Sequence, residues 1–387
     1  MDFGLTEKQL KLKISVRKFC KKEFNPDIAL ELDRKEEFPM ELYRKAAKQG
    51  FPSLFIPEKY GGGGQGYLAA CLAMEEMCRA DSSLGLACMI GTFGSDLILL
   101  HGTEEQKNCY LPPLCRGDSI SAAAFTEPKR GTDITTMDTT ATKNGNEWRI
   151  NGTKALITNA PIADFITVLC QTGSRDKPRK SQTLFIVDKE APGLTVTKLP
   201  NKMGIRCIAT GEVTLKNVKV NDSNMLGELN NGFSHSIDFF TISRTVIAAQ
   251  AVGTAQGAFE IALKHAKQRE SAGQPIIRFQ QIGAKLAQIA TEIEAARLLT
   301  YKAACSIDQN KVDPMLTSMA KLYAGNVAVR ATDSAIQTLG GYGYLGEYRV
   351  ERFYRDARVT EIYEGTSEIQ RLAILKQLIK SYSVKSE

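Results

Sequence analysis

The spacing of apolar and polar residues divides the chain into three stretches of different character. Over residues 1–120, apolar positions recur with the period of an α-helix. The first helix should begin after Thr6, because Thr6 and Gln9 match the pattern of a capping box. Its buried face is predicted to carry Leu12, Val16, Phe19 and Cys20.

Residues 121–230 contain short β-type segments instead. Two of them, 148–150 and 153–157, flank Asn151-Gly152, a dipeptide typical of a type I′ turn. We therefore predict a β-hairpin that turns at Asn151-Gly152. Further strands are predicted at 165–169, 183–187, 213–215 and 218–220.

From residue 231 onward, long helical patterns return, and a last helix should begin near Thr366. Long helices with short connections are typical of a bundle. Because helical and β segments are grouped and do not alternate, we predict an α+β protein that is mostly α. The long helices are expected at 244–269, 279–307 and 314–339, and the domains at 1–120, 121–230 and 231–387.

Residues 341–346 match the G-x-G-x-x-G pattern of dinucleotide-binding sites. That interpretation requires a strand before the glycines and a helix after them. A long helical pattern precedes them here, so we reject a dinucleotide-binding fold.

Composition and charge narrow the classes of function. Apolar residues make up 43% and charged residues 24%, the usual balance of a globular protein. The net charge of +7 favours an anionic ligand such as a nucleotide phosphate. The basic residues are scattered and not interleaved with aromatic residues, so nucleic acid is not an expected partner. We find no run of about 20 apolar residues and no leader-like N-terminus, and expect a cytoplasmic protein without membrane insertion.

The cysteines and histidines do not indicate a metal or disulfide framework. There are nine cysteines without a Cys-x-x-Cys pair, and three histidines without metal-binding spacing. We therefore expect reduced thiols and no zinc or iron site.

Four segments carry the candidate chemistry: Phe-Thr-Glu-Pro-Lys-Arg-Gly-Thr-Asp at 125–133, Lys-Ala-Leu-Ile-Thr-Asn at 154–159, Gln-Thr-Leu-Gly-Gly-Tyr-Gly-Tyr at 337–344, and Ile-Tyr-Glu-Gly-Thr-Ser-Glu-Ile-Gln-Arg at 362–371. In this order, in a helix–strand–helix chain, they resemble the acyl-CoA dehydrogenase family over essentially the whole sequence. The resemblance implies an N-terminal helical domain, a middle β-barrel domain, a C-terminal four-helix bundle, and FAD as cofactor.

The implied reaction removes a proton from the carbon next to a thioester and a hydride from the following carbon. The α-proton of a CoA thioester is weakly acidic, so the base needs a raised pKa. A free Glu has a pKa near ~4.3, and burial raises it toward working pH. Glu364 matches the family's base. The competing interpretation is a solvated loop carboxylate.

Some family members carry their base on the helix that contains Arg244. The matching position here is Ser243, which cannot serve as a carboxylate base, and this supports Glu364. Arg244 resembles an arginine of the family's active-site region, and the competing interpretation is a salt bridge on the helix surface.

The resemblance also assigns the cofactor contacts. Near the flavin ring and phosphates it implies Phe125, Thr126, Gly131, Thr132, Ile157 and Thr158, with Thr366 and Glu368 at the start of the last helix. The adenine-diphosphate end is implied to be held by a neighbouring subunit through Arg269, Gln280, Gln337, Gly340 and Gly341. Arg suits a pyrophosphate because its planar fork donates paired hydrogen bonds. A shared site implies an oligomer, and the family suggests a homotetramer.

The substrate contacts are expected at Asp96, Thr132, Phe240, Arg244 and Gly365. The acyl pocket should be lined in part by 91–100. Glutaryl-specific members have an Arg near 84–86, and its absence disfavours a dicarboxylic substrate. A buried carboxylate at Asp96 is costly unless paired. Asp96 either contacts an unusual acyl group, branched or cyclic, or faces away from the pocket.

Four positions depart from the family pattern. Leu156 stands where Trp is frequent beside the flavin, and Arg130 replaces a small residue. The Arg130 side chain would contact CoA phosphate, contact a partner flavoprotein, or point to solvent, which we favour. Ala272 replaces a Phe, and Thr241 stands where Asp is common.

The leading hypothesis is an acyl-CoA dehydrogenase that forms a 2-enoyl-CoA from a short or medium, branched or cyclic acyl-CoA and passes electrons to electron-transferring flavoprotein. Run in reverse, the same site is an enoyl-CoA reductase. Two further hypotheses are a flavin oxidase or monooxygenase that uses oxygen, and a non-catalytic acyl-CoA-binding subunit. The presence of Glu364 weighs against the oxidase, and retention of Glu364, Thr126 and Arg269 argues against the non-catalytic subunit.

Overall fold

The computed structural model describes residues 4–383 of the chain. Its helices are α1 (Glu7–Glu23), α2 (Pro26–Lys35), α3 (Met40–Lys48), α4 (Gly66–Ala80), α5 (Ser82–Met89), α6 (Ser95–His101), α7 (Glu104–Arg116), α8 (Gly232–Gln268), α9 (Gln280–Asp308), α10 (Pro314–Leu339), α11 (Val350–Arg358) and α12 (Ser367–Ser383). Its strands are β1 (Ser121–Ala124), β2 (Thr140–Asn144), β3 (Glu147–Thr158), β4 (Phe165–Gln171), β5 (Gln182–Asp188), β6 (Leu194–Lys198), β7 (Thr210–Asn221), β8 (Met225–Leu226), β9 (Glu270–Ser271) and β10 (Gln274–Pro275).

The N-terminal helices pack around α4, which is buried along most of its length. The predicted capping box at Thr6 and Gln9 is confirmed, with the Thr6 side chain accepting from the Gln9 N–H. On α1, Val16 and Cys20 are fully buried against this core, and Leu12 and Phe19 are partly buried. The helical period of the sequence therefore predicted the correct face.

Eight strands form one sheet in the order β6-β7-β3-β2-β4-β5-β8, with β1 added beside β4. Trp148 on β3 and Phe185 on β5 lie three places apart in this order, about 14 Å in a flat sheet. Their ring centroids are only 5.2 Å apart. The sheet therefore curls around its own core, as expected for a barrel. No described strand pair joins β6 to β8, so the barrel is open.

The hairpin predicted at Asn151-Gly152 is wrong. Both residues lie inside the continuous strand β3, and the turn is made by Gly145 and Asn146, between the paired residues Asn144 and Glu147. A second Asn-Gly dipeptide, at 144–145, lies at the start of that turn, with Asn144 as the last residue of β2. Gly152 has another purpose: a Cβ there would lie 2.4 Å from Thr139 Oγ1, so only glycine allows the backbone to approach this closely.

The C-terminal region is a bundle centred on α8 and α10. α8 begins at Gly232, twelve residues before the predicted start at 244 (244 − 232 = 12), while α9 and α10 match their predicted ranges closely. A long helix precedes the glycines at 341–346, so the rejection of a dinucleotide-binding fold is confirmed. Alanines on α8 and α10 form much of the buried contact, which lets the helices approach closely.

Two stretches have the length and composition of a membrane span, 82–101 and 232–268. Neither is an uninterrupted apolar run, since the first contains Asp96 and the second contains Asp238 and Arg244. Their most apolar windows are 83% and 67% buried inside the fold, which is typical of core helices.

A buried ion pair links β3 to the turn after β1. Lys154 Nζ lies 2.9 Å from Glu127 Oε1, with both side chains almost completely buried. Lys154 also donates to the Phe125 carbonyl, at 3.1 Å. Burial alone would raise the pKa of Glu127, but Lys154 and neighbouring donors hold it below its ordinary value. This pair therefore fixes the segment that contains Thr126.

Removing one residue of the Lys154–Glu127 pair should destabilise the fold, because the remaining charge is buried without a partner. Lys154→Met leaves the Glu127 charge buried and unpaired, and we expect the free energy of unfolding to fall by about 3–5 kcal/mol. Adding Glu127→Gln should recover part of the loss. Urea denaturation of the single and double variants measures both effects. The exposed pair Arg116–Asp118 is the control, since Arg116→Met should cost less than about 1 kcal/mol. Equal losses at the two sites would contradict the prediction.

Candidate active site

Glu364 lies in the loop between α11 and α12. Its φ angle is 55° and that of Gly365 is 90°, so both residues occupy the left-handed region. Glycine adopts this conformation at little cost, whereas a glutamate does so only where surrounding contacts impose it. The loop therefore directs the Glu364 side chain inward.

The Glu364 carboxylate is buried and accepts a hydrogen bond from the Ser243 hydroxyl on α8. Burial raises its pKa to about 7, against the lowering effects of Ser243, Arg244 and Lys321. A solvated loop carboxylate is thereby excluded. The Ser243 side chain on α8 and the Glu364 side chain therefore face the same point.

Two buried cations flank the carboxylate. Arg244 Nη1 donates to Ser318 Oγ on α10 at 2.9 Å, so Arg244 is not part of a surface salt bridge. Lys321 Nζ, also on α10, donates to the Gly365 carbonyl at 2.6 Å. Burial lowers the pKa of Arg244 to about 10 and that of Lys321 to about 8, and the nearby Glu364 charge opposes both shifts. Both cations favour an ionised Glu364.

Gln370 on α12 holds the same loop from the other side. Its Nε2 donates to the carbonyls of Glu364 and Gly365, at 3.1 and 2.9 Å. A Cβ at Gly365 would lie 2.7 Å from this nitrogen. Glycine at 365 therefore serves both the turn and the contact with Gln370.

An apolar cavity of about 60 Å³ adjoins the carboxylate, with Ser243 in its wall. Asp96 and Tyr67 line it too, and the Tyr67 hydroxyl donates to Asp96 Oδ1 at 2.6 Å. Burial raises the pKa of Asp96 to about 6, although the bond from Tyr67 opposes this. Asp96 therefore faces the pocket. Apolar side chains complete the wall, among them Phe55, Met74, Ile90, Phe93, Val246 and Ile247.

Several predicted flavin contacts lie together where β1 ends beside β3. The Thr126 carbonyl accepts from the Ala155 N–H at 2.8 Å, which brings Thr126 next to the end of β3. Thr158 is half-buried and Ile157 buried at that end. The Phe240 ring lies 4.7 Å from the Phe125 ring, so α8 packs against this corner. The structure thus groups five of the residues predicted from the sequence.

A second group of predicted residues lines a separate open cleft. Arg269, Gln337, Gly340 and Gly341 all contribute to its wall. The Arg269 guanidinium lies 5.8 Å from the centroid of the Tyr342 ring, which holds the charge over the cleft. Neither glycine has an atom within 4 Å of where a Cβ would stand, so the backbone here is open to a ligand.

The remaining predicted contacts line neither the cavity nor the cleft. Gly131 and Thr132 form an exposed turn, and Gln280 is the exposed first residue of α9. Thr366 Oγ1 accepts from the Ile369 N–H at 3.4 Å at the start of α12. Glu368 is exposed, with its partner Arg371 at 3.4 Å. Their predicted roles stay predictions.

The four residues that depart from the family pattern lie in different surroundings. Leu156 is 67% exposed, with a φ of 60° at an irregularity in β3. Arg130 is half-buried and donates to Asp138 Oδ1 at 3.3 Å, so it does not simply point to solvent. Ala272 is exposed with a φ of 47°. Thr241 is buried and donates to a carbonyl of its own helix.

Sequence reasoning missed four residues of this site: Tyr67, Ser318, Lys321 and Gln370. Lys321 left a detectable signal, because it shares a helical face with small buried residues at 317, 324 and 328. A lysine on such a face must have a buried partner. Tyr67 left no signal in the sequence, since its contact with Asp96 depends on how α4 and α6 are placed in the fold.

Comparisons with known proteins agree with this geometry. The chain matches the family models for the acyl-CoA dehydrogenase N-terminal domain over residues 6–118, the middle domain over 122–218 and the C-terminal domain over 230–379. It is 42% identical to cyclohexane-1-carbonyl-CoA dehydrogenase of Geobacter metallireducens, over 86% of this chain and 87% of the relative. It is 40% identical to the caffeyl-CoA reductase-Etf complex subunit CarC of Acetobacterium woodii, over 94% and 96%. The solved structure of butyryl-CoA dehydrogenase from Megasphaera elsdenii superposes with a TM-score of 0.94 at 38% identity, over 98% of this chain and 100% of that one.

The raised pKa of Glu364 predicts a pH-dependent cost of folding. With a pKa of about 7 in the folded chain and about 4.3 unfolded, the folded state binds more protons between these values, so its stability falls as pH rises through this window. Glu364→Gln removes the ionisation. We expect the variant to be more stable than the wild type by roughly 3 kcal/mol at pH 8–9, with no difference below about pH 4.

Thermal unfolding of both proteins across this pH range measures the difference. The exposed Glu368 supplies the control, since Glu368→Gln should produce no gain of this sign. A constant difference between wild type and Glu364→Gln at all pH values would contradict the buried, raised carboxyl.

Proposed function

This chain belongs to the acyl-CoA dehydrogenase family of oxidoreductases, and we propose that it converts a short acyl-CoA to its 2-enoyl-CoA with Glu364 as the base. One observation carries the proposal: a buried carboxylate with a pKa near 7 accepts a hydrogen bond from Ser243, which lines an apolar cavity. A base removes a carbon-bound proton most effectively when its pKa lies near the working pH.

The hydrogen bonds of Glu364 indicate which atom receives the proton. Oε2 accepts from the Ser243 hydroxyl, so we propose that Oε1 takes the α-proton. Lys321 and Gln370 hold the backbone on either side of the carboxylate and fix its direction. The apolar wall excludes water from the reacting carbon. Lys321 and Gln370 thus position the base, Glu364 receives the proton, and the apolar wall shields the site from water.

The family is a flavoprotein family, and we propose FAD as the cofactor here. A flavin supplies the hydride acceptor that the second half of the reaction needs. Thr126, Ile157 and Thr158 at the end of β3 would contact the ring. The open glycine backbone and the Arg269 guanidinium suit a diphosphate, because both present donors to anionic oxygens.

The two cofactor regions would belong to different subunits, as the family resemblance implies. This requires an oligomer, and we propose a homotetramer. The exposed apolar residues of α12, including Leu372 at 60% and Leu375 at 52% exposure, support burial against another copy. Leu372 and Leu375 therefore remain largely uncovered within one described chain.

The electron acceptor and the direction are proposals drawn from relatives. One relative is named as a dehydrogenase of a cyclic acyl-CoA and another as a reductase subunit of a complex with Etf. We propose electron-transferring flavoprotein as the acceptor and dehydrogenation as the direction, with enoyl-CoA reduction as the alternative. The site itself serves either direction, since microscopic reversibility uses the same base and cofactor.

The size of the cavity favours a short acyl group. About 60 Å³ holds roughly four to six water-sized groups. Butyryl and cyclohexane-carbonyl groups appear in the names of similar proteins. A dicarboxylic acyl group is disfavoured, because Asp96 adds a negative charge to the pocket and the described lining residues include no cation.

Glu364→Gln should abolish turnover while leaving ligand binding intact. Without a base, we expect the rate of flavin bleaching by an acyl-CoA to fall by a factor of about 10²–10⁴. In the wild type, kcat/KM should rise with pH through an apparent pKa near 7, because only the carboxylate accepts a proton. Anaerobic absorbance measurements with straight, branched and cyclic acyl-CoAs test both. Full bleaching by the variant would refute the role of Glu364.

Arg269→Ala should weaken retention of FAD. Loss of a charged hydrogen-bond donor to the diphosphate costs about 1.5–3 kcal/mol, so purified protein should contain substantially less flavin. The matched control is Arg278→Ala, since Arg278 is also exposed and lies outside the cleft. Flavin content by absorbance after dialysis is the measurement. Equal retention in both variants would exclude a diphosphate contact at Arg269.

A further inference from the structure

The acyl cavity is lined by a carboxyl group that the proposed reaction does not use. Asp96 is the second residue of α6 and lines the same cavity as Ser243, the hydrogen-bond donor to Glu364. The rest of the wall is mainly apolar. Burying a carboxyl among apolar side chains is costly unless it is hydrogen-bonded, so its presence requires an explanation.

The partner of Asp96 is held rigidly. Tyr67 is stacked on Phe55, with ring centroids 5.1 Å apart, and its backbone N–H donates to the Asp308 carboxylate at 2.6 Å. These contacts aim the Tyr67 hydroxyl at Asp96 Oδ1. Tyr67 is held on α4 and Asp96 on α6, so the pair is a preorganised polar feature of the pocket.

The pair does not satisfy the whole carboxyl. Among the residues that the structure describes, Tyr67 is the one side chain that donates to Asp96, and the backbone N–H of Asp96 adds a second hydrogen bond to the carboxyl. A carboxylate has two oxygens and can accept several hydrogen bonds. Capacity therefore remains for a donor on a molecule in the cavity. The pKa of about 6 keeps Asp96 mostly ionised, and thus an acceptor, at neutral pH.

We propose that the Tyr67–Asp96 pair is a specificity determinant that selects an acyl group carrying a hydroxyl on the part remote from the thioester. This inference rests on the proposed function of the site. A substrate hydroxyl supplies a further donor beside that of Tyr67. A plain hydrocarbon leaves this remaining capacity of the carboxylate unused, and a second carboxylate is repelled by it. A site built to bond a polar substituent discriminates more strongly than an apolar one.

The test compares two acyl-CoAs that differ by one group: a four-carbon acyl-CoA and the same thioester with a hydroxyl on its terminal carbon. We expect wild-type kcat/KM to favour the hydroxylated substrate by about tenfold or more, the effect of a hydrogen bond to a charged group. Asp96→Val, an apolar side chain of similar size, should reverse the preference by improving the plain substrate and weakening the hydroxylated one. Tyr67→Phe should reduce the preference without removing it, since the carboxyl remains.

Flavin content and melting temperature show whether each variant folds, and Tyr67→Phe provides a second test if Asp96→Val does not. Asp118→Val, at an exposed site, is the control for loss of an acidic side chain. An unchanged substrate ratio in a folded Asp96→Val or Tyr67→Phe protein would overturn the inference and assign the pair to structure alone. If neither acyl-CoA, nor any in the wider panel, reduces the wild-type flavin, the proposed function itself fails.

Discussion

The arrangement at the centre of this fold depends on one constraint: the Glu364 carboxyl must be shielded from water and still be able to accept a proton. Burial alone would favour the neutral form of Glu364 and leave no base at neutral pH. Ser243, Arg244 and Lys321 each favour the ionised form, and together they limit the pKa to about 7. A fully hydrated carboxyl would be too weak a base, and an unassisted buried one would stay protonated. The site lies between these extremes.

That balance depends on elements far apart in the sequence. α8 brings Ser243 and Arg244, α10 brings Ser318 and Lys321, and the loop before α12 brings Glu364 itself. Small alanines between α8 and α10 allow the two helices to lie close enough for Arg244 to reach Ser318. The electrostatics of Glu364 therefore depend on the packing of the bundle. A wider spacing between α8 and α10 would separate the cations from the carboxylate and admit water.

The sequence predicted the parts of this site that depend on local pattern. The helical and β regions, the α1 capping box and the inward role of Glu364 could be inferred, because period, capping residues and the Tyr-Glu-Gly-Thr-Ser-Glu segment are local. The hairpin at Asn151-Gly152 was wrong because two Asn-Gly dipeptides compete, and only strand pairing decides between them. Tyr67 escaped notice because its partner is 29 residues away on another helix. Tertiary packing, which no window of sequence contains, makes that contact.

The Asp96 carboxyl in the cavity wall also influences the Glu364 carboxyl. Asp96 raises the pKa of Glu364, since a nearby negative charge disfavours a second one. An ionised Asp96 therefore strengthens Glu364 as a base. A hydroxyl bonded to Asp96 would spread that charge and reduce the repulsion. Occupancy of the pocket beside Asp96 is thus coupled electrostatically to the proton affinity of the base, and a substituent that binds there can adjust the chemistry as well as the fit.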